Sequence, residues 1–147
     1  MLDELLYVIP AHTDRAEVKK MLEEHPEIKF VSLVGVDMAG NDTDEKIPMR
    51  IFLKDIDDFY AGSAVQTDGS SVVLPGIATL NNAKVDMPVD PDVNWFVDYN
   101  FEHYDEDSEK PIGTLRIPSF LIHEGKRVDA RAVLADSLEY VKKGLLD

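Results

Sequence analysis

The stretch "IKFVSLVGVDMAGNDTDEKIPMRIFL", Ile28 to Leu53, reads as a strand, a reversal and a second strand. Its first ten residues are rich in β-branched and aromatic side chains, which suit a pleated, half-buried surface. Ala39-Gly40-Asn41-Asp42 supplies turn chemistry, because glycine and asparagine tolerate the backbone angles of a tight reversal. Glu45 to Leu53 is then expected to return as an antiparallel strand. Pro48 cannot donate to a ladder, so it marks an edge position or a strand end.

Working outward, "TDRAEVKKMLEEHPE" is a helix. Thr13 or Asp14 can cap it, and Asp14 with Glu17 forms a capping-box pattern. Val18, Met21, Leu22 and His25 recur at helical spacing, and Pro26 stops the run. "KDIDDFYAG" reads as a short helix or turn closed by Gly62. "SAVQT" is a short strand entering "DGSS". "VDMPVDPD", Val85 to Asp92, is a further strand ending in a Pro-Asp turn. "VNWFVDYNFEHY" alternates Trp95, Val97 and Tyr99, the period of a strand. "DEDSEKPIG" is an acidic loop. "TLRIPSFLIHEGKRV" is a last strand and turn bent at Gly125. "DARAVLADSLEYVKKGLLD" closes as an amphipathic helix, with Asp129 as its N-cap. Its expected buried stripe is Ala130, Val133, Leu134, Leu138 and Val141. Helix, short strands and helix in this order predict an α+β class, with a small mixed sheet packed against helices.

Bulk properties set the frame. The chain has 147 residues, fitting one domain. Such a length buries roughly 68–70% of its unfolded surface. Apolar residues make up 44% and charged residues 30%, a globular balance. A net charge of −14 repels phosphate backbones and anionic lipid surfaces, so nucleic acid and membranes are not expected partners. No apolar run approaches the roughly 18–20 residues of a membrane span. The start "MLDELLYVIP" lacks the pattern of a secretory leader. With no cysteine, disulfides, thiolate metal sites and cysteine nucleophiles are excluded. A cytoplasmic location is the resulting expectation.

Candidate chemistry centres on "VQTDGSSVV", Val65 to Val73. Taken alone it reads as a turn, with Asp68 bonding its own backbone. "FEHYDED", Phe101 to Asp107, gathers Glu102, His103, Asp105, Glu106 and Asp107 but has no glycine-punctuated calcium loop, and reads as a solvated acidic loop. His12, His25, His103 and His123 are scattered. Trp95, Phe96 and Tyr99 read as core rather than as a ligand platform. No glycine-rich loop followed by lysine is present to cradle nucleotide phosphates.

Three landmarks stand in a telling order: "VDMAGNDTDEKIP", then "TDGSS", then "VDMPVDPD" with its D-M-x-x-x-P-D element. Together they resemble the N-terminal domain of glutamine synthetase, a β-grasp fold in which a curved sheet cradles a helix. The closing "DARAVLADSLEYVKK" is similar to the helix leading into that family's catalytic domain. The resemblance covers roughly residues 30–143. Thr67 stands where the family usually carries an aromatic residue, and "VVLPGIATLNNAKVDM" is longer than usual, which points to a divergent branch.

The resemblance implies a division of the chain. Residues 1–27 would be an N-terminal extension with a helix. Residues 28–147 would be the β-grasp domain ending in a linker helix, the catalytic domain being absent from this chain. It implies that Asp68 binds ammonium and accepts its proton in a neighbouring subunit's active site, with Gly69 letting the backbone approach and Ser70 and Ser71 steadying the loop. Asp68 and Ser71 are the expected catalytic residues. ATP and Mg (or Mn) would belong to the missing domain, with none held here. Glutamate and ammonia would be the substrates of a homo-oligomer, and the domain alone would be inactive. Two alternatives stand beside this: a stand-alone β-grasp module that binds a protein partner, and a γ-glutamyl ligase using another amine.

Overall fold

The computed structural model describes residues 4–37, 40, 42–68, 84–123 and 125–146; residues 66–68, 84 and 146 are described by backbone only. The elements in chain order are β1 (Val8–Ile9), α1 (Arg15–Glu23), β2 (Ile28–Val36), β3 (Asp42–Pro48), α2 (Met49–Lys54) and α3 (Ile56–Ala61), then β4 (Gln66–Asp68) and β5 (Lys84–Asp86). They continue with β6 (Trp95–Tyr104), β7 (Pro111–Pro118), β8 (Ile122–His123), β9 (Lys126–Arg127) and α4 (Ala130–Leu146). The α+β class is the observed one.

A five-stranded sheet runs β1-β6-β7-β2-β3, and a four-stranded sheet runs β4-β5-β8-β9. The expected hairpin is present: β2 and β3 pair antiparallel, from Phe30 opposite Pro48 to Val36 opposite Asp42. At the centre β2 pairs parallel with β7, Val31 opposite Leu115 and Leu33 opposite Ile117. All four are fully buried. Side chains alternate faces along a strand, so the intervening Phe30, Ser32, Thr114 and Arg116 lie on the other, open face.

The buried face carries one core. Ile9, Val18 and Leu22 join it from β1 and α1, Phe52 and Phe59 from α2 and α3, and Val85, Met87 and Leu121 from the second sheet and its flanks. Phe52 and Phe59 meet edge to face at 4.9 Å. Arg15 ties α1 to α3, bonding Asp57 at 2.6 Å and covering the Tyr60 ring at 4.2 Å. Two glycines allow close approach. A Cβ on Gly35 would lie 2.7 Å from Leu121 Cδ2. Gly62 takes the left-handed C-cap of α3 at φ 88°, and a Cβ there would sit 3.1 Å from Pro88.

Three local expectations are corrected. The second strand does not run to Leu53; it ends at Pro48, and a helix starts at Met49. Pro48 lacks an N–H, which suits both the end of a ladder and a helix start. Helical spacing then buries Met49 and Phe52 together. Asp14 holds the N-cap position of α1 without a side-chain cap bond, while Thr13 Oγ1 donates to the Pro10 carbonyl at 2.5 Å. Most of the stripe expected to be buried on α4 is exposed: Leu134 is 61%, Leu138 52% and Val141 54% accessible, and among the described residues of the helix only Ala132, outside that stripe, is buried. Among the described residues, no helix is long and apolar enough to cross a membrane.

The first turn of α4 is what attaches it. Asp129 is fully buried. Its Oδ2 accepts the Ala132 N–H at 2.9 Å as an N-cap, and its Oδ1 accepts the Leu121 N–H at 3.1 Å. Asp129→Ala removes the cap and strands both donors, so it is expected to destabilise the chain by about 2–3 kcal/mol. Urea denaturation measures this, and an unchanged midpoint would contradict the anchoring role.

Candidate functional site

The strand entering the D-G-S-S motif is rooted in the core. In β4 and β5, Gln66 lies opposite Asp86, Thr67 opposite Val85 and Asp68 opposite Lys84. Val85 and Met87 are fully buried, and the Met87 N–H donates to the Val65 carbonyl at 3.2 Å. The backbone of Asp68 thus ends an anchored antiparallel ladder. Its side chain, together with Gly69, Ser70 and Ser71, lies outside the described residues.

The D-M-x-x-x-P-D element contains a residue whose part the sequence did not disclose. Asp90 is buried. Its Oδ1 accepts the Asp92 N–H at 3.0 Å, its Oδ2 accepts from the Arg131 guanidinium, and its carbonyl accepts the Trp95 indole N–H at 2.8 Å. One residue therefore joins the Pro-Asp turn, β6 and α4. Arg131 and Arg127 both stack on Phe120, at 5.5 and 4.2 Å. The only hint in the sequence was the Asp-Pro-Asp spelling of a turn.

The acidic loop is also more structured than its composition implies. Asp105 is 9% accessible. Its Oδ2 accepts the Ser108 N–H at 3.0 Å and the Ser108 hydroxyl at 2.7 Å, and Lys29 Nζ lies 2.9 Å from Oδ1. Lys29 reaches it from the place where the β2–β7 register shifts, between Ile28 and Phe30. The Ser108 hydroxyl first, then Lys29, hold the Asp105 carboxyl down to about 2.

Nearby, Glu27 is fully buried. His25 Nδ1 stands 2.9 Å from its Oε1 and Lys110 Nζ 4.0 Å from the same atom. Its Oε2 has no hydrogen-bond partner among the described residues. Burial first, then the Glu27 charge, push the Tyr99 hydroxyl above its ordinary value. That hydroxyl donates to the Leu6 carbonyl at 2.6 Å. Of the other expected core aromatics, Trp95 is buried and Phe96 is exposed.

The open face of the five-stranded sheet forms a broad groove of about 660 Å³. Several of its polar side chains are engaged with neighbours. Ser32 donates to Asp44, Arg116 Nε lies 3.4 Å from Asp98, and Lys46 sits 4.4 Å over the Phe30 ring. The exposed His12 pairs with Asp92 at 3.2 Å. Among the described residues, no group of three or more His, Cys, Asp or Glu is placed to hold a metal ion.

No protein-family profile and no curated protein matches the chain. Among solved structures it is similar to GmaS, a glutamine synthetase-like enzyme. The structure described as "Apo GmaS without ligand" is 17% identical at a TM-score of 0.47, over 78% of this chain and 22% of that one. "GmaS/ADP complex-Conformation 1" is 18% identical at 0.46, over 79% and 22%. The chain thus spans less than a quarter of the length of those proteins. At these scores the likeness bears on neither the activity nor the ligand of this chain.

The Asp105 geometry has a pH consequence. A carboxyl with a lowered folded-state value stabilises the fold above the ordinary carboxylate value, about 3.9. Its contribution is expected to be complete above that pH and to vanish as pH falls through about 2. A carboxyl NMR titration should give that low midpoint, and Asp105→Asn should flatten the acid limb of the stability curve. A midpoint near 4 would refute the account.

Proposed function

We propose that this chain is the N-terminal domain of a glutamate–ammonia ligase of the glutamine synthetase type, lending Asp68 to a neighbouring subunit's active site. The observation that carries the reading is the order of three segments: the hairpin, Thr67-Asp68-Gly69-Ser70-Ser71, and the D-M-x-x-x-P-D element from Asp86 to Asp92. The fold supports it in one respect. The strands that enter the latter two segments, β4 and β5, pair with each other, so the Asp68 backbone closes a ladder beside the buried Val85.

The chemistry asked of Asp68 is simple. Ammonia in neutral water is mostly ammonium, which has no free lone pair. A fixed carboxylate attracts the cation, and by accepting its proton releases the nucleophile next to the activated glutamate carboxyl. Ser71 steadies the loop. ATP and magnesium or manganese belong, in this reading, to a catalytic domain beyond this chain, and the full enzyme is a cytoplasmic homo-oligomer.

Asp68→Asn in the full-length enzyme is expected to lower ammonia-dependent amide formation about a hundredfold, with an unchanged denaturation midpoint. Undiminished turnover would refute the assignment. The 147-residue chain by itself is expected to show neither ATPase nor ligase activity, and robust turnover from it would overturn the division of labour.

A further inference from the structure

Where β6 leaves its partner, the ladder slips. Asn100 lies opposite Ile112 and Tyr104 opposite Pro111, so residues 101–103 fall between pairs that are consecutive on β7. Such irregularities re-aim side chains and cluster at sites. Here Phe101 and Tyr104 are each 53% exposed, and with Leu5 and Pro111 they wall a pocket of about 420 Å³. Two half-exposed aromatic rings that share one concave apolar wall offer a ready lining for a small ligand.

The turn beside the pocket is held rigidly in an unfavourable shape. The Asp105 carboxylate fixes Ser108, the Asp105 N–H donates to the Lys110 carbonyl at 2.8 Å, and the Glu109 N–H donates to the Asp105 carbonyl at 2.9 Å. Glu109 is thereby forced to φ 57°, the left-handed region that a residue with a Cβ rarely adopts. Its side chain lines the pocket, as does that of Glu4. Lys110 also lines it, but its ammonium leans toward the buried Glu27. The mouth is left anionic, and the exposed Glu106 and Asp107 of the same turn add to that field.

We propose that this pocket binds a small organic amine with an apolar body: the body lies against Phe101, Tyr104 and Leu5, and the protonated nitrogen sits between Glu4 and Glu109. Aromatic faces and carboxylates attract the same cation, so the two linings act together. The pocket is built on the first sheet and uses neither β4 nor β5, so it does not depend on the role given to Asp68.

The test titrates the 147-residue chain with 2-phenylethylamine and, separately, with 3-phenylpropionate, followed by amide NMR. The amine should bind saturably at about millimolar concentration, with shifts confined to residues around Leu5 and Phe101 to Pro111, and the acid should not. Phe101→Ala and Glu109→Gln should each weaken the amine about tenfold. Glu109→Gly relieves the backbone strain, so it should raise the melting temperature while also weakening the amine. That opposite pair of effects is one a purely structural Glu109 would not give. Equal binding of the acid, amine binding that survives all three substitutions, or no saturable binding by the amine would each overturn the proposal. If Phe101→Ala fails to fold, the two Glu109 variants decide.

Discussion

The parallel pairing of β2 with β7 is the constraint on which the rest of the fold depends. Its central residues, Val31, Leu33, Leu115 and Ile117, have no solvent exposure. Parallel neighbours cannot be joined by a tight turn and need a long crossover. Here α2, α3, the strands β4 and β5, and β6 all fall within that connection. A slip of one residue would turn every inward side chain to the open face. The register therefore also decides that Ser32 and Arg116 share the outer surface, which Lys46 joins through the β2–β3 pairing. The segments flanking the second sheet are fastened to the first by backbone bonds as well as packing: the Ser119 N–H donates to the Val34 carbonyl at 2.8 Å, the Asp90 N–H to the Pro118 carbonyl at 2.9 Å, and Leu121 lies against Gly35.

Acidic residues hold the parts together more than the cations do. The chain has 29 Asp and Glu against 15 Lys and Arg, so many carboxylates must find neutral donors. Asp129 takes two backbone N–H groups, Asp90 takes one plus a guanidinium, and Asp105 takes a backbone N–H, a hydroxyl and an ammonium. N–H donors directed at an anion stabilise its charged form without a full countercharge. Glu27 differs from these three, because one of its oxygens has no such donor among the described residues. A buried carboxylate with an unsatisfied oxygen is costly, and its ties to His25 and Lys110 run through the same corner that carries the strained Glu109.

The functional readings rest on two separate pieces of architecture. One is the β4–β5 ladder, which provides an anchored approach to Asp68. The other is the slipped end of β6 with its rigid turn. Both follow a common logic: a chemically interesting residue sits where regular pairing stops, and buried neighbours fix its base. Loops and strand ends can carry chemistry when a packed scaffold positions them.

Local pattern was enough to read the α+β class, the β2–β3 hairpin, the strand through Trp95, Val97 and Tyr99, the Gly62 stop and the Asp129 cap. Each depends on short-range periodicity or on one residue's backbone preference, which is written in adjacent positions. Met49, Ile51 and Leu53 alternate like a strand as well as suiting a helix, and packing of Phe52 against Phe59 chose between the two. The stripe on α4 was legible as an apolar face, but periodicity says nothing about whether a face is covered, and among the described residues burial is confined to its first turn. The burial of Glu27 and the left-handed Glu109 had no local signal, and the clamp made by Asp90 had only the Asp-Pro-Asp spelling of a turn. They arise when residues distant in the chain converge on one spot, and only the closed tertiary structure sets the desolvation and donor geometry found there.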